Sequence, residues 1–519
     1  MSQKSYCTML EVPGALLHTT ICLPEAEGSF PIVLFRSPYV DYMENMSDDE
    51  IAENTLREDK NFLDHGYATV HQHCRGRGRS TGDCIPFATE RADGLALQAW
   101  VRQQSFYAGE LYLCGGSYTT SVHYITAPWA SDIKGAVLEI QDTEKYNCNY
   151  RNGFYKIGLA GNWYVGMYKA KSIRQKSGSP EAFKKLPLTG FGQTVVGEPM
   201  EDLEEIFLHP DRNDPFWHTA AGVCEDSGAV RDCRIPVLLT TAFYDIYTGG
   251  IFDMWNAMTE ETRKLCALAV NPYNHGGGPR DEPISFENGT FSEQFGDYRV
   301  RWLDSIRGLC DPPFTPGKVT YYELFGNRWC CDDFVPSGKT LTFPLGETDK
   351  TYRYLPWAPA TFPGGLSANF GSNEWQAPPN SRYDIISYQT IPFQTECLVK
   401  GVMRVRLRVR SSCPDTCFYV RLSLVKEAGA YGLRDDIHAL SEFAPDYVPG
   451  EEAEMTFTFD PHAFRIQPGE RIRIDVSSSC FPHYIPHTNR KGLFSLQTGA
   501  DPAENTILSS QSRLYLCVE

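Results

Sequence analysis

The sequence has no two cysteines in the C-x-x-C spacing, although it contains 17 cysteines. Zinc sites usually draw their ligands from closely spaced cysteine and histidine pairs, so this absence argues against a structural metal. The cysteine number is odd and the chain is long, which also argues against a disulfide framework. Most of the cysteines stand inside apolar runs, where a free thiol packs as a small hydrophobic group. We predict no metal.

Long apolar runs are absent as well. No stretch approaches the roughly 18 apolar residues that a membrane span requires, and Met1–Leu10 lacks the apolar segment of a secretory signal. Positive charge is scarce, since 48 Lys and Arg face 65 Asp and Glu, for a formal charge of -17. This excess repels nucleic-acid phosphates and anionic lipids. We expect a soluble, cytoplasmic protein with a small-molecule substrate and no nucleic-acid or membrane partner; homo-oligomerisation stays open.

The first part of the chain has the pattern of an α/β domain. Short apolar runs alternate with helix-like segments, which is typical of a mostly parallel sheet covered on both faces. The predicted strands are Pro31–Arg36, Tyr67–His71, Leu111–Cys114, Gly135–Ile140, Pro236–Thr241 and Leu265–Val270. Helices are predicted over Asp48–His65 and Arg91–Gln103.

Two changes in residue pattern divide the chain, whose 519 residues exceed the roughly 250–300 of a single core. From Tyr146 to about Arg231 aromatic residues crowd in, which indicates an inserted cap, with ordinary helix packing as an equal alternative. After Pro313 frequent short strands indicate an all-β sandwich or jelly roll, and apolar residues alternate with arginine over Val402–Val409. We predict a catalytic domain at 1–145 and 231–311, a helical cap at 146–230 and a β-sandwich at 312–519.

The segment Leu111–Thr120 contains the strongest chemical signal. A strand runs into Gly115 and Gly116, then Ser117, and then a helix-compatible segment. A sharp strand-to-helix turn needs small residues before the serine and lifts the hydroxyl above the sheet at a helix N-terminus. On this spacing alone, Ser117 as a nucleophile and a plain turn between strand and helix are about equally favoured.

Ser117 needs a base, and in α/β-hydrolases the acid and the histidine follow the serine in that order. Asp245 ends the apolar run Leu238–Tyr244, at the strand end where active-site groups of open α/β sheets collect. His275 follows the next strand in a glycine-rich loop. Taken singly, Asp245 fits a helix N-cap and His275 a surface loop, but their joint order favours a Ser-His-Asp triad.

A tetrahedral oxyanion requires two hydrogen-bond donors. One is normally the backbone N–H after the nucleophile, which belongs to Tyr118. The second should come from the loop after the early strand, where Tyr39 offers a phenol. Tyr39 and Tyr118 are therefore the predicted oxyanion hole.

Motifs spread over the whole chain resemble the family of cocaine esterase, α-amino-acid ester hydrolases and X-prolyl dipeptidyl peptidases. They are Arg36-Ser37-Pro38-Tyr39, Arg75–Gly82, Asp93-Gly94 with Trp100, Gly115-Gly116-Ser117-Tyr118, Phe243-Tyr244-Asp245, Asn274-His275-Gly276, Gly326–Trp329, and Arg465–Arg473 with Ser477–Ser479. The resemblance implies an α/β-hydrolase core with an inserted helical cap and a C-terminal jelly roll, galactose-binding-like. It also implies the triad Ser117, Asp245 and His275, the Tyr39 and Tyr118 oxyanion hole, and no metal or organic cofactor.

The sequence departs from this family at several positions. Thr120 replaces the usual glycine of the serine turn, and His73 replaces the usual aspartate before the Arg-Gly run. The carboxylates that amino-ester hydrolases carry after the triad acid are here Tyr247 and Thr248, so recognition of a free α-amino group is disfavoured.

The candidate substrate contacts come from the cap and from the segment after the triad acid. Arg151 is a candidate for an anionic substrate group, with a solvated surface arginine as the more common alternative. The other candidates are Tyr150, Trp163 and Tyr247.

The sequence thus predicts a serine hydrolase that cleaves acyl esters or amides, with esters favoured, through an acyl-enzyme. An X-Pro dipeptidyl peptidase or acylase is the alternative within the same chemistry. A non-catalytic ligand-binding protein with a decayed hydrolase domain is the alternative of another class.

Overall fold

The structure is a computed structural model that describes residues 4–126, 130–168, 171–174, 181–218, 228–231, 233–278, 283–336, 338–365 and 371–519. The strands are β1 Ser5–Val12, β2 Ala15–Cys22, β3 Phe30–Ser37, β4 Ala68–His73, β5 Tyr107–Gly116, β6 Ile133–Glu139, β7 Tyr150–Arg151, β8 Phe154–Tyr155, β9 Val237–Tyr244, β10 Ala267–Asn274, β11 Val319–Glu323, β12 Arg328–Asp332, β13 Lys339–Pro344, β14 Lys350–Tyr354, β15 Trp375–Gln376, β16 Ile386–Gln389, β17 Cys397–Ser411, β18 Cys417–Lys426, β19 Gly429–Ala439, β20 Ala453–Thr458, β21 His462–Ile466, β22 Arg471–Ser477, β23 Ala503–Ile507 and β24 Arg513–Val518.

The helices are mostly short. They are α1 Asp48–Glu58, α2 Lys60–Asp64, α3 Glu90–Val101, α4 Tyr118–Ile125, α5 Lys145–Asn149, α6 Asn162–Met167, α7 Lys171–Arg174, α8 Phe191–Val195, α9 Glu201–Ile206, α10 Gly228–Arg231, α11 Thr248–Ala257, α12 Glu260–Arg263, α13 Phe291–Phe295, α14 Tyr298–Ile306 and α15 Leu440–Phe443.

The first domain is built on a ten-stranded sheet in the order β1-β2-β4-β3-β5-β6-β9-β10-β11-β12. The strands from β4 through β11 in this order pair in parallel, and an antiparallel hairpin, β1–β2, closes one edge. The central strand β9 is buried along its whole length, as expected for a strand covered by helices on both faces. The predicted α/β-hydrolase core is confirmed, although the β1–β2 hairpin was not predicted.

The change from the first sheet to the sandwich comes later than the sequence predicts. Strand β11 pairs in parallel with β10, and β12 pairs antiparallel with β11, so both extend the first sheet. Val319–Glu323, which falls in the range 312–519 predicted for the sandwich, therefore belongs to the first sheet instead. The physical reason is that a strand pattern does not reveal which sheet provides the neighbour.

Short helices and the β7–β8 hairpin form the cap between β6 and β9. Their apolar side chains, such as Tyr155 and Phe207, share one buried cluster with Phe362 and Tyr419 of the C-terminal domain. Parts of the predicted cap range 146–230, namely 169–170, 175–180 and 219–227, lie outside the described residues.

The C-terminal domain is an all-β jelly roll of two main sheets. One has the order β13-β24-β17-β23-β14, with β20 and β21 also paired to β17, and the other has the order β15-β19-β18-β22-β16. In β17 the side chains of Val405, Leu407 and Val409 are buried while Arg404 and Arg410 are exposed, as the alternation predicts. Among the described residues, no helix is both long and apolar enough to span a bilayer.

Candidate active site

Ser117 occupies a sharp turn between β5 and α4. Its backbone has φ 59° and ψ -132°, a conformation that costs a non-glycine residue about 1–3 kcal/mol. A Cβ at Gly115 would overlap the carbonyl of Thr119, so only glycine allows the helix to return so closely over the strand. The strained turn is thus specified by Gly115 and holds the Ser117 hydroxyl at the carboxyl edge of the sheet.

Thr120, at the position of the usual family glycine, fastens this turn to the neighbouring strand. Its buried hydroxyl lies 2.5 Å from the Gly115 carbonyl and 3.0 Å from the Glu139 carbonyl, and accepts the Glu139 N–H at 3.0 Å. Hydrogen bonds therefore replace the close packing that a glycine would give.

His73, the other departure, supports the Arg75–Gly82 loop. Burial lowers the pKa of His73 to about 3, so the imidazole is neutral at pH 7. Its Nδ1 accepts a hydrogen bond from the backbone N–H of Arg79 at 3.3 Å. A neutral imidazole therefore holds this loop where the family usually has a carboxylate.

The structure brings together the three side chains that the sequence predicts as a triad. His275 Nε2 lies 2.8 Å from Ser117 Oγ, and His275 Nδ1 lies 2.8 Å from Asp245 Oδ1. Asp245 follows β9 and His275 follows β10, so adjacent parallel strands deliver the acid and the base. A proton on the serine hydroxyl is thus within direct transfer distance of the imidazole.

The Asp245 carboxylate is fully buried and held by several donors. Oδ2 accepts the Thr241 hydroxyl at 2.9 Å, and Oδ1 accepts the Tyr247 N–H at 3.1 Å in addition to the imidazole. These bonds fix the carboxylate and leave the tautomer with hydrogen on Nδ1 favoured, so that Nε2 faces Ser117 as an acceptor.

Tyr39 and Tyr118 both lie beside Ser117. The Tyr39 hydroxyl accepts the Trp163 Nε1–H at 3.2 Å, and Tyr39 lines the same pocket as Ser117. Although 42% of the residue is exposed, its hydroxyl end is enclosed, and this burial raises the pKa of Tyr39 and keeps the phenol protonated. Tyr118 is the first residue of α4, so its N–H has no carbonyl within the helix to bind.

A buried ion pair beneath the serine turn was missed by sequence reasoning. Arg36 Nη1 lies 2.8 Å from Glu90 Oε2, and the Tyr118 hydroxyl donates to Glu90 Oε1 at 2.9 Å. The same hydroxyl accepts the Phe87 N–H at 2.9 Å. Burial, and then the Glu90 carboxylate, hold the pKa of Tyr118 well above its ordinary value. Arg36 belongs to the motif Arg36-Ser37-Pro38-Tyr39, but its distance from Glu90 along the sequence does not indicate that the two side chains form an ion pair.

The pocket at Ser117 is a small, largely apolar cavity of about 30 Å³. Trp163 and Tyr247, two of the predicted substrate contacts, line it. Its other walls are Tyr39, Phe87, Tyr118, Gln141, Cys148, Leu159, Ala160, Tyr164 and Ile246. Among the described lining residues none carries a charged side chain.

Tyr150 and Arg151, the other two predicted substrate contacts, do not line this pocket. Arg151 binds Asp436 and Asp460 of the C-terminal domain, both at 2.9 Å, and the Tyr150 hydroxyl donates to the Ile206 carbonyl at 2.9 Å. Both face a separate cavity of about 870 Å³ between cap and jelly roll. The predicted contact of Arg151 with an anionic substrate group is therefore replaced by an ion pair between domains.

One possible set of metal ligands occurs among the described residues, formed by Cys7, His18 and Asp48 near the N-terminus. His18 Nε2 lies 3.1 Å from Asp48 Oδ1, and Arg79 also contacts that oxygen at 3.2 Å. None of the three lines the serine pocket. The cationic Arg79 at the same carboxylate oxygen disfavours a metal there.

Family models match both domains. The model of the X-Pro dipeptidyl-peptidase (S15 family) matches residues 13–277, and that of the X-Pro dipeptidyl-peptidase C-terminal non-catalytic domain matches residues 316–513. Together they cover most of the ten-stranded sheet, the cap and most of the jelly roll.

Individual relatives cover nearly the whole chain. The cocaine esterase of Rhodococcus sp. (strain MB1 Bresler) is 24% identical over 540 residues, covering 93% of this chain and 92% of the relative. An aminopeptidase from a marine sediment Thaumarchaeota archaeon aligns with TM-score 0.84 at 18% identity, over 99% of this chain and 96% of that one. An α-amino acid ester hydrolase aligns with TM-score 0.81 at 20% identity and the same coverage. The two solved structures establish the shared fold.

Proposed function

Since the chain belongs to the X-Pro dipeptidyl-peptidase (S15) family, we propose that it is a serine hydrolase that cleaves acyl esters through an acyl-enzyme on Ser117. The observation that carries this proposal is the continuous hydrogen-bonded path from Ser117 Oγ through His275 to Asp245. The name of the cocaine esterase relative supports an ester as the substrate.

The first half of the reaction forms the acyl-enzyme. Ser117 Oγ attacks the carbonyl carbon of the ester while its proton moves to His275 Nε2. The tetrahedral intermediate then collapses, the bond from carbon to the leaving oxygen breaks, and the imidazolium returns its proton to that oxygen. An alcohol leaves, and the acyl group remains on Ser117.

The second half releases the acid. A water molecule gives a proton to His275 and attacks the acyl carbon, and the new tetrahedral intermediate expels Ser117 Oγ, which recovers the proton from the imidazolium. Asp245 stabilises the imidazolium in both halves, and the Tyr39 hydroxyl and Tyr118 N–H donate to the oxyanion. The products are a carboxylic acid and the regenerated enzyme.

The lining of the serine pocket favours an uncharged, compact acyl group. Aromatic and aliphatic side chains surround Ser117, and the described lining offers no carboxylate for a substrate ammonium. At one position where amino-ester hydrolases carry a carboxylate, the Thr248 hydroxyl lies 2.6 Å from the Ala242 carbonyl and 2.7 Å from the Asp245 carbonyl, so its single proton is already engaged. Esters are favoured over amides because an alkoxide is a better leaving group than an amine anion.

Replacing Ser117 tests the proposal. Ser117→Ala should fold like the wild type and lose hydrolysis of a p-nitrophenyl ester by about 10⁴-fold or more, because the nucleophile is absent. Steady-state kinetics and thermal melting measure the two effects. A variant that still turns over the ester at the wild-type rate would refute the role of Ser117.

Two further measurements separate the alternatives. A fluorophosphonate probe should label the wild type at Ser117 and leave Ser117→Ala unlabelled, whereas a decayed hydrolase domain that only binds ligands would not react in either form. Release of p-nitroaniline from an Ala-Pro-p-nitroanilide faster than hydrolysis of the activated esters would favour X-Pro dipeptidyl peptidase activity instead.

A further inference from the structure

The last residues of β9, which deliver Asp245, pair only irregularly within their own sheet. The pairing with β6 ends at Thr240, and the pairing with β10 shifts register between Asn271 and Asn274. Phe243 falls within this shift, between the paired residues Ala242 and Tyr244. A second contact that fixes Phe243 would therefore steady the segment that places the triad acid.

The C-terminal domain holds it. Arg434 of β19, only 2% exposed, donates from Nη1 to the Phe243 carbonyl, and its other donors bind the Asp460 carbonyl at 3.0 Å and the Pro461 carbonyl. Its guanidinium also lies 5.8 Å and 5.7 Å from the ring centres of Phe243 and Tyr244. The arginine thus joins the end of β9 to the jelly roll.

Two glycines of the jelly roll also contact Tyr244. The Tyr244 hydroxyl donates to the Gly432 carbonyl at 2.9 Å. Gly371, with φ +80°, packs so closely on the Tyr244 carbonyl that a Cβ there would overlap it. The residue before Asp245 is therefore enclosed on both its side chain and its backbone by the jelly roll.

Arg434 binds these carbonyls as a buried ion. The nearby Asp460 and Asp435 carboxylates only partly offset the cost of burying its charge, and burial lowers the pKa of Arg434 to about 10, so the charge persists at neutral pH. Buried ions of this kind are retained in some proteins for conformational specificity, which motivates a positioning role.

We infer that Arg434 is a positioning residue that fixes the Asp245 carboxylate against His275 by holding the Phe243 carbonyl. The inference rests on the proposed function, because it assigns Asp245 to the reaction. Asp245 is two residues beyond Phe243, and its N–H bonds back to the Ala242 carbonyl at 3.0 Å, so a shift of Phe243 carries the carboxylate with it.

Arg434→Met tests the inference, since it keeps most of the side-chain volume and removes every donor. We expect kcat for a p-nitrophenyl ester to fall by about 10- to 100-fold with KM within about twofold, because a displacement near 1 Å in a catalytic group has costs of this size. The matched control is Arg473→Met, another buried arginine of the jelly roll, which binds Asp475 and the Ala377 carbonyl and does not touch β9. A control with the same loss of Tm should retain kcat; an equal loss of kcat in both would overturn the inference.

A double-mutant cycle with Asp245→Asn tests whether Arg434 affects kcat by positioning Asp245. If Arg434 acts through Asp245, Arg434→Met should reduce kcat in the Asp245→Asn background by less than about twofold. The full 10- to 100-fold reduction in that background would exclude positioning of the acid.

Should Arg434→Met not fold, Tyr244→Phe keeps the ring and removes the hydroxyl that binds the Gly432 carbonyl at 2.9 Å and lies 3.4 Å from His462 Nε2. This variant should lower kcat about threefold or more with KM unchanged. Wild-type kcat in the folded variant would contradict the claim that contacts with the jelly roll position Asp245. Labelling of the wild type by a fluorophosphonate, lost in Ser117→Ala, decides the proposed function separately, so failure of the positioning role leaves that result intact.

Discussion

In the proposed reaction the hydroxyl of Tyr39 and the Tyr118 N–H are the two donors to the oxyanion. Trp163 donates to the Tyr39 oxygen at 3.2 Å, which leaves the phenolic proton free to point toward a substrate. The proposal therefore assigns one of the two oxyanion donors to a single hydroxyl.

Tyr39→Phe should therefore lower kcat by about 10²- to 10³-fold while KM changes little, because one oxyanion donor is lost. Tyr42→Phe, at a nearby residue that is 68% exposed, is the matched control and should keep wild-type kinetics. Initial-rate kinetics on one activated ester measure both. An unaltered kcat in Tyr39→Phe would assign the second donor to another group.

At the scale of single residues, the sequence predicted side chains whose role follows from their place at a strand end. Ser117, Asp245 and His275 meet as chain order and strand ends indicate. Arg151 was a candidate substrate contact, and its partners Asp436 and Asp460 lie 285 and 309 residues further along the chain. No local pattern reveals such a pair.

The turn between β5 and α4 can be tested by its two glycines. Gly115→Ala should destabilise the protein by several kcal/mol, because its Cβ would overlap the Thr119 carbonyl. Gly116→Ala is the control next to it, since the nearest atom to its Cβ is 3.7 Å away. Chemical denaturation measures the free energy of unfolding of each variant, and equal losses would show that the turn is not the constraint.

The contact between the cap and the jelly roll should depend on pH through His438. Burial alone would lower the pKa of His438, but the Asp436 and Glu442 carboxylates outweigh it and raise the pKa to about 9. Because the unfolded value is near 6.5, the stabilisation is fully present below about pH 6.5 and is lost as pH rises through about 9. Arg151 joins the cap to the same Asp436 carboxylate.

We therefore expect the stability difference between wild type and His438→Gln to be largest near pH 6 and to shrink by pH 10. Comparing the two proteins at each pH cancels other titrating groups. The measurement is the free energy of unfolding by urea from pH 6 to pH 10. A constant difference over this range would contradict the role of the charged imidazole.

At the scale of elements, the parallel strands were predictable because apolar runs bounded by turn residues mark them. The β1–β2 hairpin was missed because polar and exposed residues of β1, such as Tyr6 and Met9, blur its alternation. Strand β11 was given to the sandwich, because the hydrogen bonds between β10 and β11 are not encoded in either strand alone, and β12 was not predicted as a strand.

The whole molecule has a continuous interior. One buried cluster includes Phe243 and Leu324 of the first sheet together with Leu407 and Phe418 of the jelly roll. Backbone hydrogen bonds join Leu324 to Ala463 at 3.1 Å, so the last residues after β11 touch β21 directly. The two domains share a core rather than an open interface.

This continuity predicts one cooperative thermal transition for the intact chain. Differential scanning calorimetry should give a calorimetric enthalpy close to the van't Hoff enthalpy, because neither domain can melt without exposing the core of the other. Two resolved transitions would show that the domains unfold independently.

The small pocket at Ser117 takes part of its wall from Leu159, Trp163 and Tyr164, all carried by the cap, whereas the proton relay is mounted on the strands beneath. Residues of the cap can therefore change the shape of the pocket while the residues on the strands keep the proposed chemistry. A directed-evolution library confined to Leu159 and Tyr164 can explore new acyl groups without replacing a residue of the proposed catalytic machinery, whereas Trp163 should be kept because it donates to the Tyr39 hydroxyl.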